Sequence, residues 1–157
     1  MMKITYKFIF FISIISLYSC SSEPELTKDQ LLKQSIEQLE QRFEARKLGE
    51  IVEYVSQNYQ DDYGRKYDDV KRVIQLQLMR HKTVHIFSVI KEIQWIDDAN
   101  STVQITAAMA GKPITDLSLL PTLRADMLNF TVQFVLEDEV YKVKSASWTW
   151  ATPGDFL

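Results

Sequence analysis

The sequence predicts an α+β fold, with three N-terminal helices packed on a curved, mostly antiparallel four-stranded sheet. Three observations carry this expectation. Apolar residues recur at helical spacing from Leu32 to Leu78. From Val84 onward the pattern changes to segments rich in β-branched and aromatic residues, with strand alternation. Helices and strands are thus segregated along the chain, which implies α+β rather than an alternating α/β arrangement.

Thr27-Lys28-Asp29-Gln30 matches the capping box, in which Thr27 accepts from the backbone three residues on and Gln30 reaches back. Leu32, Ile36, Leu39 and Phe43 then form one apolar stripe, predicting a helix to about Lys47. Gly49 punctuates the chain before a second, shorter apolar set, Ile51, Val52, Tyr54 and Val55, so a bend is expected near Leu48–Gly49. The polar stretch QNYQDDYGR (57–65) reads as a solvated loop. Asp68 and Asp69 open a third helix, placing negative charge at its positive end. Val70, Val73, Ile74, Gln77 and Leu78 keep the helical spacing, and Arg80 and Lys82 lie near the C-terminus.

Val84–Trp95 predicts a long first strand, the segment 97–100 a turn, and Thr102–Ala110 a second strand with Val103, Ile105, Ala107 and Met109 on one face. Residues 111–126, with two prolines, predict an irregular connection holding a short helical turn. Met127–Leu136 alternates most clearly: Leu128, Phe130, Val132, Phe134 and Leu136 point one way, Asn129, Thr131 and Gln133 the other. Glu137-Asp138-Glu139 turns into the last strand, Val140 to about Trp150. The strands pair as an antiparallel meander whose apolar face the three amphipathic helices cover.

The first residues carry an address. Lys3 and Lys7 precede an apolar run from Phe8 to Leu17, and Ser19 and Ser21 flank Cys20, the single cysteine. A basic start, a short apolar run and small residues at the cut form a secretory signal. The run is short of the ~20 apolar residues a spanning helix needs. Leu17-Tyr18-Ser19-Cys20 resembles the bacterial lipobox, with bulky Tyr18 at its variable position. That resemblance implies a signal peptide at 1–19, a lipidated Cys20 with its tether at 20–26, and a folded domain at 27–157. Acyl chains, palmitate among them, would then hold the protein to the bilayer at roughly 0.8 kcal/mol per buried CH₂. The alternative is a cleaved signal or uncleaved anchor with an incidental cysteine. By the same resemblance Ser21 implies the periplasmic side of the outer membrane, if the cell is Gram-negative.

Composition excludes some classes. A single cysteine allows no intrachain disulfide and no cysteine-based metal centre. The net charge is −3, more negative once Lys3 and Lys7 leave, which argues against nucleic acid as a partner. The membrane contact would be covalent, through Cys20, and no cofactor is expected.

The order long helix, short helix, YQDDYG, third helix and curved sheet resembles the nuclear transport factor 2-like fold, also described as a SnoaL-like or cystatin-like cone. The ending NFTVQFVLEDEVYKVKSASW resembles the last hairpin of such domains. Glu139 stands where many members carry Gly, which implies a different hairpin geometry. The segments MRHKTVHI, TAAMAGKPI, LRADMLNF and DFL are similar to a group of bacterial envelope lipoproteins carrying this domain. The resemblance covers residues 27–157 and implies fold and location. Isomerases, dehydratases, ligand binders and assembly domains all share the fold, so it does not decide function.

Candidate functional residues follow from the cone. Its lining is expected to draw on Tyr54, Tyr59, Tyr63, His85, Phe87, Trp95, Phe130, Phe134, Tyr141 and Trp148, unless these simply fill the core. His85 is the weak candidate for a general base, at an inward strand position. His81 and His85, four apart, straddle a helix-to-strand junction and lack the Glu of H-E-x-x-H, so no metal site is expected. Asp61-Asp62-Tyr63-Gly64 lacks the alternating carboxylates of a calcium loop. Asn129, Thr131 and Gln133 make the outer sheet face polar, suiting a weak homodimer interface. The reading is a lipid-anchored envelope protein whose cone binds a small apolar ligand or an envelope protein without catalysis. The alternative is a cone enzyme of isomerase or dehydratase type, with His85 or a buried carboxylate as base.

Overall fold

The computed structural model describes residues 26–157. The signal segment, Cys20 and most of the tether lie outside these residues. Helix α1 (Lys28–Glu44) starts on the predicted box: the Gln30 N–H donates to Thr27 Oγ1 at 3.3 Å and the Thr27 N–H to Gln30 Oε1 at 2.9 Å. The break after α1 falls earlier than Gly49. Arg46 adopts φ 59°, in the left-handed region, and Gly49 lies inside α2 (Leu48–Val52). The Arg46 guanidinium donates to the carbonyls of Leu78 and His81, which ties this corner to the end of α3 (Tyr67–Arg80). Among the described residues no helix is long and apolar enough to cross a membrane.

Strands β1 (His85–Trp95), β2 (Asn100–Ala110), β3 (Asp126–Glu137) and β4 (Val140–Trp150) form one antiparallel sheet in sequence order. Two bulges curve it. The register jumps from Ile90↔Ile105 to Glu92↔Gln104, leaving Lys91 extra, and from Gln133↔Ser145 to Phe134↔Val143, leaving Lys144 extra. An extra residue bends its strand and increases the twist, so the meander curls around α1. Leu32 and Ile36 of α1 pack there on Val103, Ile105, Val132, Phe134 and Tyr141. A second apolar cluster joins α2 and α3 through Ile51, Val55, Tyr59, Ile74 and Leu78.

A third cluster lies on the other side of the sheet. A 3-10 turn (Leu117–Leu119) leads into α4 (Leu120–Leu123), and a C-terminal 3-10 helix (Pro153–Phe156) folds back beside it. Leu120 and Phe156 cover Ala108, with Phe87, Val89 and Met127 around them. The edge strand β4 is covered at its middle by the chain after α2. Val143 N–H donates to the Tyr54 carbonyl at 2.8 Å, Ser56 N–H to the Val143 carbonyl at 2.9 Å, and Gln60 N–H to the Lys144 carbonyl at 3.0 Å. Over this stretch the edge has no free donors and acceptors left for pairing.

Glu139 does not change the final hairpin. Asp138 (φ 54°) and Glu139 (φ 63°) both adopt the left-handed region between the paired ends Glu137 and Val140. This is the two-residue turn whose twist matches the strands and which Gly-containing pairs favour. The chain reaches the Gly geometry without Gly, at a steric cost of about 1 kcal/mol. Glu139→Gly is therefore expected to raise the thermal midpoint by a few degrees; an unchanged or lowered midpoint would mean that the turn carries no such strain.

Candidate functional site

The inner face of the curved sheet is built in rows across the strands. Row by row from the β1–β2 hairpin, α1 covers Val103 and Val132, then Ile105, with Tyr141 at the β4 side. Ile105 is the last buried position: its row neighbours Ile90, Phe130 and Trp148, and the whole next row, Ser88–Ala107–Leu128–Trp150, are only part-covered or exposed. This incompletely covered strip of the inner face is the trough. At its β1 side stands Glu40 of α1, which accepts a hydrogen bond from Ser88 Oγ; one turn on, Glu44 Oε1 accepts from the Ile86 N–H at 2.6 Å. At the β4 side, Trp148 and Trp150 meet edge to face with ring centroids 5.7 Å apart, 45% and 71% exposed. His81, at the end of α3, lies 3.9 Å from Asp126 on the next row.

Glu40 is half-buried, and burial is the main reason its carboxyl pKa lies above the ordinary value. The Ser88 hydrogen bond works in the opposite direction, and Glu44 and Glu37 add to the rise. Folded Glu40 therefore holds its proton more tightly than it does unfolded. Its contribution to stability is present below the unfolded value and lost as pH rises through the folded one. A carboxyl of this kind beside apolar surface can accept or donate a proton, or receive a hydrogen bond from a bound molecule.

The residues named from sequence disperse. Phe130 and Trp148 line the trough. Phe134 (3% exposed) and Tyr141 (1%) are core, and Tyr59 packs between the helices. Desolvation first, then the neighbouring Asp61, raises the Tyr59 hydroxyl to about 12. Tyr54 lies under the Arg42 guanidinium, 5.0 Å from its ring centre, and Trp95 at the far end of the sheet donates to Asp29 Oδ1 at 2.7 Å. Tyr63 is 76% exposed under the Arg65 guanidinium, so it lines nothing.

Two residues are corrected outright. His85 pairs with Ala110 and Phe87 with Ala108, which puts both on the face away from the helices. Phe87 packs there against Phe156, ring centroids 5.9 Å apart. Alternation could not set the phase of β1, because Ile86, Phe87, Val89 and Ile90 make both of its faces apolar. His81 lies at the helix-side rim and His85 on the opposite face; among the described residues no three His, Cys, Asp or Glu side chains gather as a metal site requires. The sequence reading passed over Glu40, though a signal existed. It follows Ile36 by one helical turn and so interrupts the apolar stripe with an acid.

No protein-family model matches the sequence, and no curated protein matches it. Solved structures do match. A candidate dehydratase of the NTF2-like family from Streptomyces avermitilis shares 11% identity at a TM-score of 0.63, over 79% of this chain and 96% of that one. A cystatin-like-fold domain of unknown function from Nostoc punctiforme shares 9% at 0.58, over 80% and 78%. Bd1075 from Bdellovibrio bacteriovorus shares 11% at 0.60; the match covers 77% of this chain but only 40% of the length of Bd1075. At these identities the likeness concerns the fold: the chain has the nuclear transport factor 2-like, cystatin-like cone.

Proposed function

We propose that the protein is a lipid-anchored envelope protein, held at Cys20, whose cone binds a small apolar ligand in the open trough without catalysis. The observation that carries this reading is the tryptophan pair. Trp148 and Trp150 leave large apolar area in water on the concave side of the sheet, next to half-buried Leu128 and Phe130. Exposed aromatic surface of that kind calls for a cover. Glu40 at the opposite wall would receive a hydroxyl or amine on an otherwise apolar molecule. An envelope protein presenting an apolar side chain is the other occupant of the same surface.

Glu40 also supports the enzymatic alternative. If the cone performs proton transfer, as in isomerisation or dehydration, the base is Glu40 and not His85, which lies on the far side of the sheet. Native mass spectrometry of the processed chain, purified gently, tests the binding reading. The expected result is a reproducible extra mass lost on denaturation and reduced about tenfold in affinity by Trp150→Ala, equivalent to ~1.4 kcal/mol. Glu40→Gln separates the two chemistries: a binder keeps its ligand, whereas an enzyme keeps the ligand and loses turnover. A bare chain that instead cross-links to an envelope protein through position 150 would replace the small ligand by that partner.

A further inference from the structure

On the sheet face turned away from the helices, β2, β3 and β4 each place two side chains in a block of six. Thr106, Asn129 and Thr149 make one row, and Gln104, Thr131 and Ser147 the next. All six are uncharged and hydrogen-bonding. They floor a groove of ≈ 400 Å³, walled by Lys91 at the β1 bulge and Asp155 in the C-terminal 3-10 helix. Ile105, Phe130 and Trp148 alternate with them along the strands and also border the groove, but strand alternation turns their side chains to the inner face.

The chemistry of the groove narrows its occupant. A protein partner, or a second copy of this chain, draws its affinity from a buried core of apolar and aromatic groups, and the six floor residues supply none. A phosphate or polyanion needs uncompensated cations. Lys91 stands in the same groove as Asp155, and its ammonium already donates to the Leu157 carbonyl at 2.6 Å. What remains is a neutral molecule recognised through many hydrogen bonds. Sugar hydroxyls donate and accept at once, as do amide and hydroxyl side chains.

Part of the floor is set in advance. Thr106 is buried, and its hydroxyl donates to Asn129 Oδ1 at 2.7 Å, which turns the Asn129 amide N–H₂ toward the Asp155 carboxylate at the groove wall and fixes both groups. Gln104 Nε2 donates to Glu92 Oε2 at 3.3 Å, which leaves its carbonyl oxygen as an acceptor in the next row. Exposed Thr131 and Thr149 supply adaptable hydroxyls beside them. Groups already held in place lose little freedom on binding. We infer that this groove binds a neutral saccharide, at a site separate from the apolar trough.

The test is amide chemical-shift titration of the full chain, in a detergent without a sugar headgroup, with cellotetraose and with tetra-N-acetylchitotetraose up to ~10 mM, enough to see a Kd of about 1 mM. The expected result is saturable movement of the amides of Thr131, Ser147 and Thr149 with at least one of the two. Thr131→Val with Thr149→Val, which keeps shape at exposed strand positions, is expected to weaken binding at least tenfold and leave the thermal midpoint unchanged. Three results would overturn the inference: no shift with either saccharide, shifts confined to the trough, or concentration-dependent shifts at this face without saccharide, which would make it a self-association surface. Because the trough shares none of these side chains, failure here leaves the reading of the trough standing.

Discussion

Asp61→Ala is expected to destabilise the protein by about 2–4 kcal/mol, because it leaves part-buried backbone N–H groups and the Tyr59 hydroxyl without their acceptor. The Asp61 side chain is fully buried and accepts four hydrogen bonds. Oδ1 takes the backbone N–H groups of Tyr63 and Arg65, each at 3.0 Å, and Oδ2 takes Arg65 Nε at 2.6 Å and the Tyr59 hydroxyl at 3.1 Å. One carboxylate thus organises a tight turn in which Gly64, at φ 74°, donates back to the Asp61 carbonyl at 2.9 Å. The segment it organises is the one that closes the β4 edge, so the damage reaches the sheet. Asp61→Asn keeps the shape and loses the charge, and about half the effect is expected, since Arg65 is one-third exposed and can turn to water.

The pH dependence supplies a second readout. Burial pushes the Asp61 carboxyl up, but the hydrogen bonds from Arg65, Tyr59 and Tyr63 together outweigh it and hold the pKa below the ordinary value. A depressed carboxylate contributes stability that is present above the unfolded pKa of about 3.9 and is lost as pH falls through the folded one. Urea unfolding should therefore show the full gap between the natural chain and Asp61→Asn at neutral pH, closing in acid below about pH 4. A gap under about 1 kcal/mol at neutral pH would reduce Asp61 to an ordinary loop residue.

The same turn shows where sequence reasoning stops. The elements themselves were legible, because capping, helical spacing and strand alternation are local: Thr27 starts α1, and the four strands lie within a few residues of their predicted bounds. QNYQDDYGR is polar and carries a Gly, and a solvated loop and a loop knit around one buried acid share that composition. What separates them is Tyr59, which packs into the helix cluster and carries Asp61 in with it. Arg46 in place of Gly49 as the helix breaker is likewise a tertiary outcome, since its guanidinium is satisfied by carbonyls on α3. The trough was half legible. Its aromatic wall was visible in the last strand, but its acid lay on a helix that read as a core stripe. The polar outer face could be read directly in β3, whereas the groove needs β2 and β4 in register beside it.

Tyr141→Ala is expected to cost about 3–5 kcal/mol, as large aromatic truncations in a packed core do. Tyr141 holds three distant segments together. Its backbone N–H donates to Ser35 Oγ on α1 at 3.2 Å, and Ser35 in turn donates to the Leu31 carbonyl at 2.9 Å. Its ring meets Trp95 of β1 edge to face at 5.6 Å, and its hydroxyl donates to the Asp98 carbonyl in the β1–β2 turn at 2.7 Å. Tyr141→Phe keeps the ring and the backbone bond and removes only the last contact, for which about 1 kcal/mol is expected. The two variants apportion the tie between packing and hydrogen bonding. If Phe costs nearly as much as Ala in urea unfolding, the hydroxyl anchors the β1–β2 turn and the far end of the cone depends on one hydrogen bond. If Phe is nearly neutral, closure of the cone around α1 is a packing effect, and the β1–β2 turn can loosen without opening the trough at the other end of the sheet.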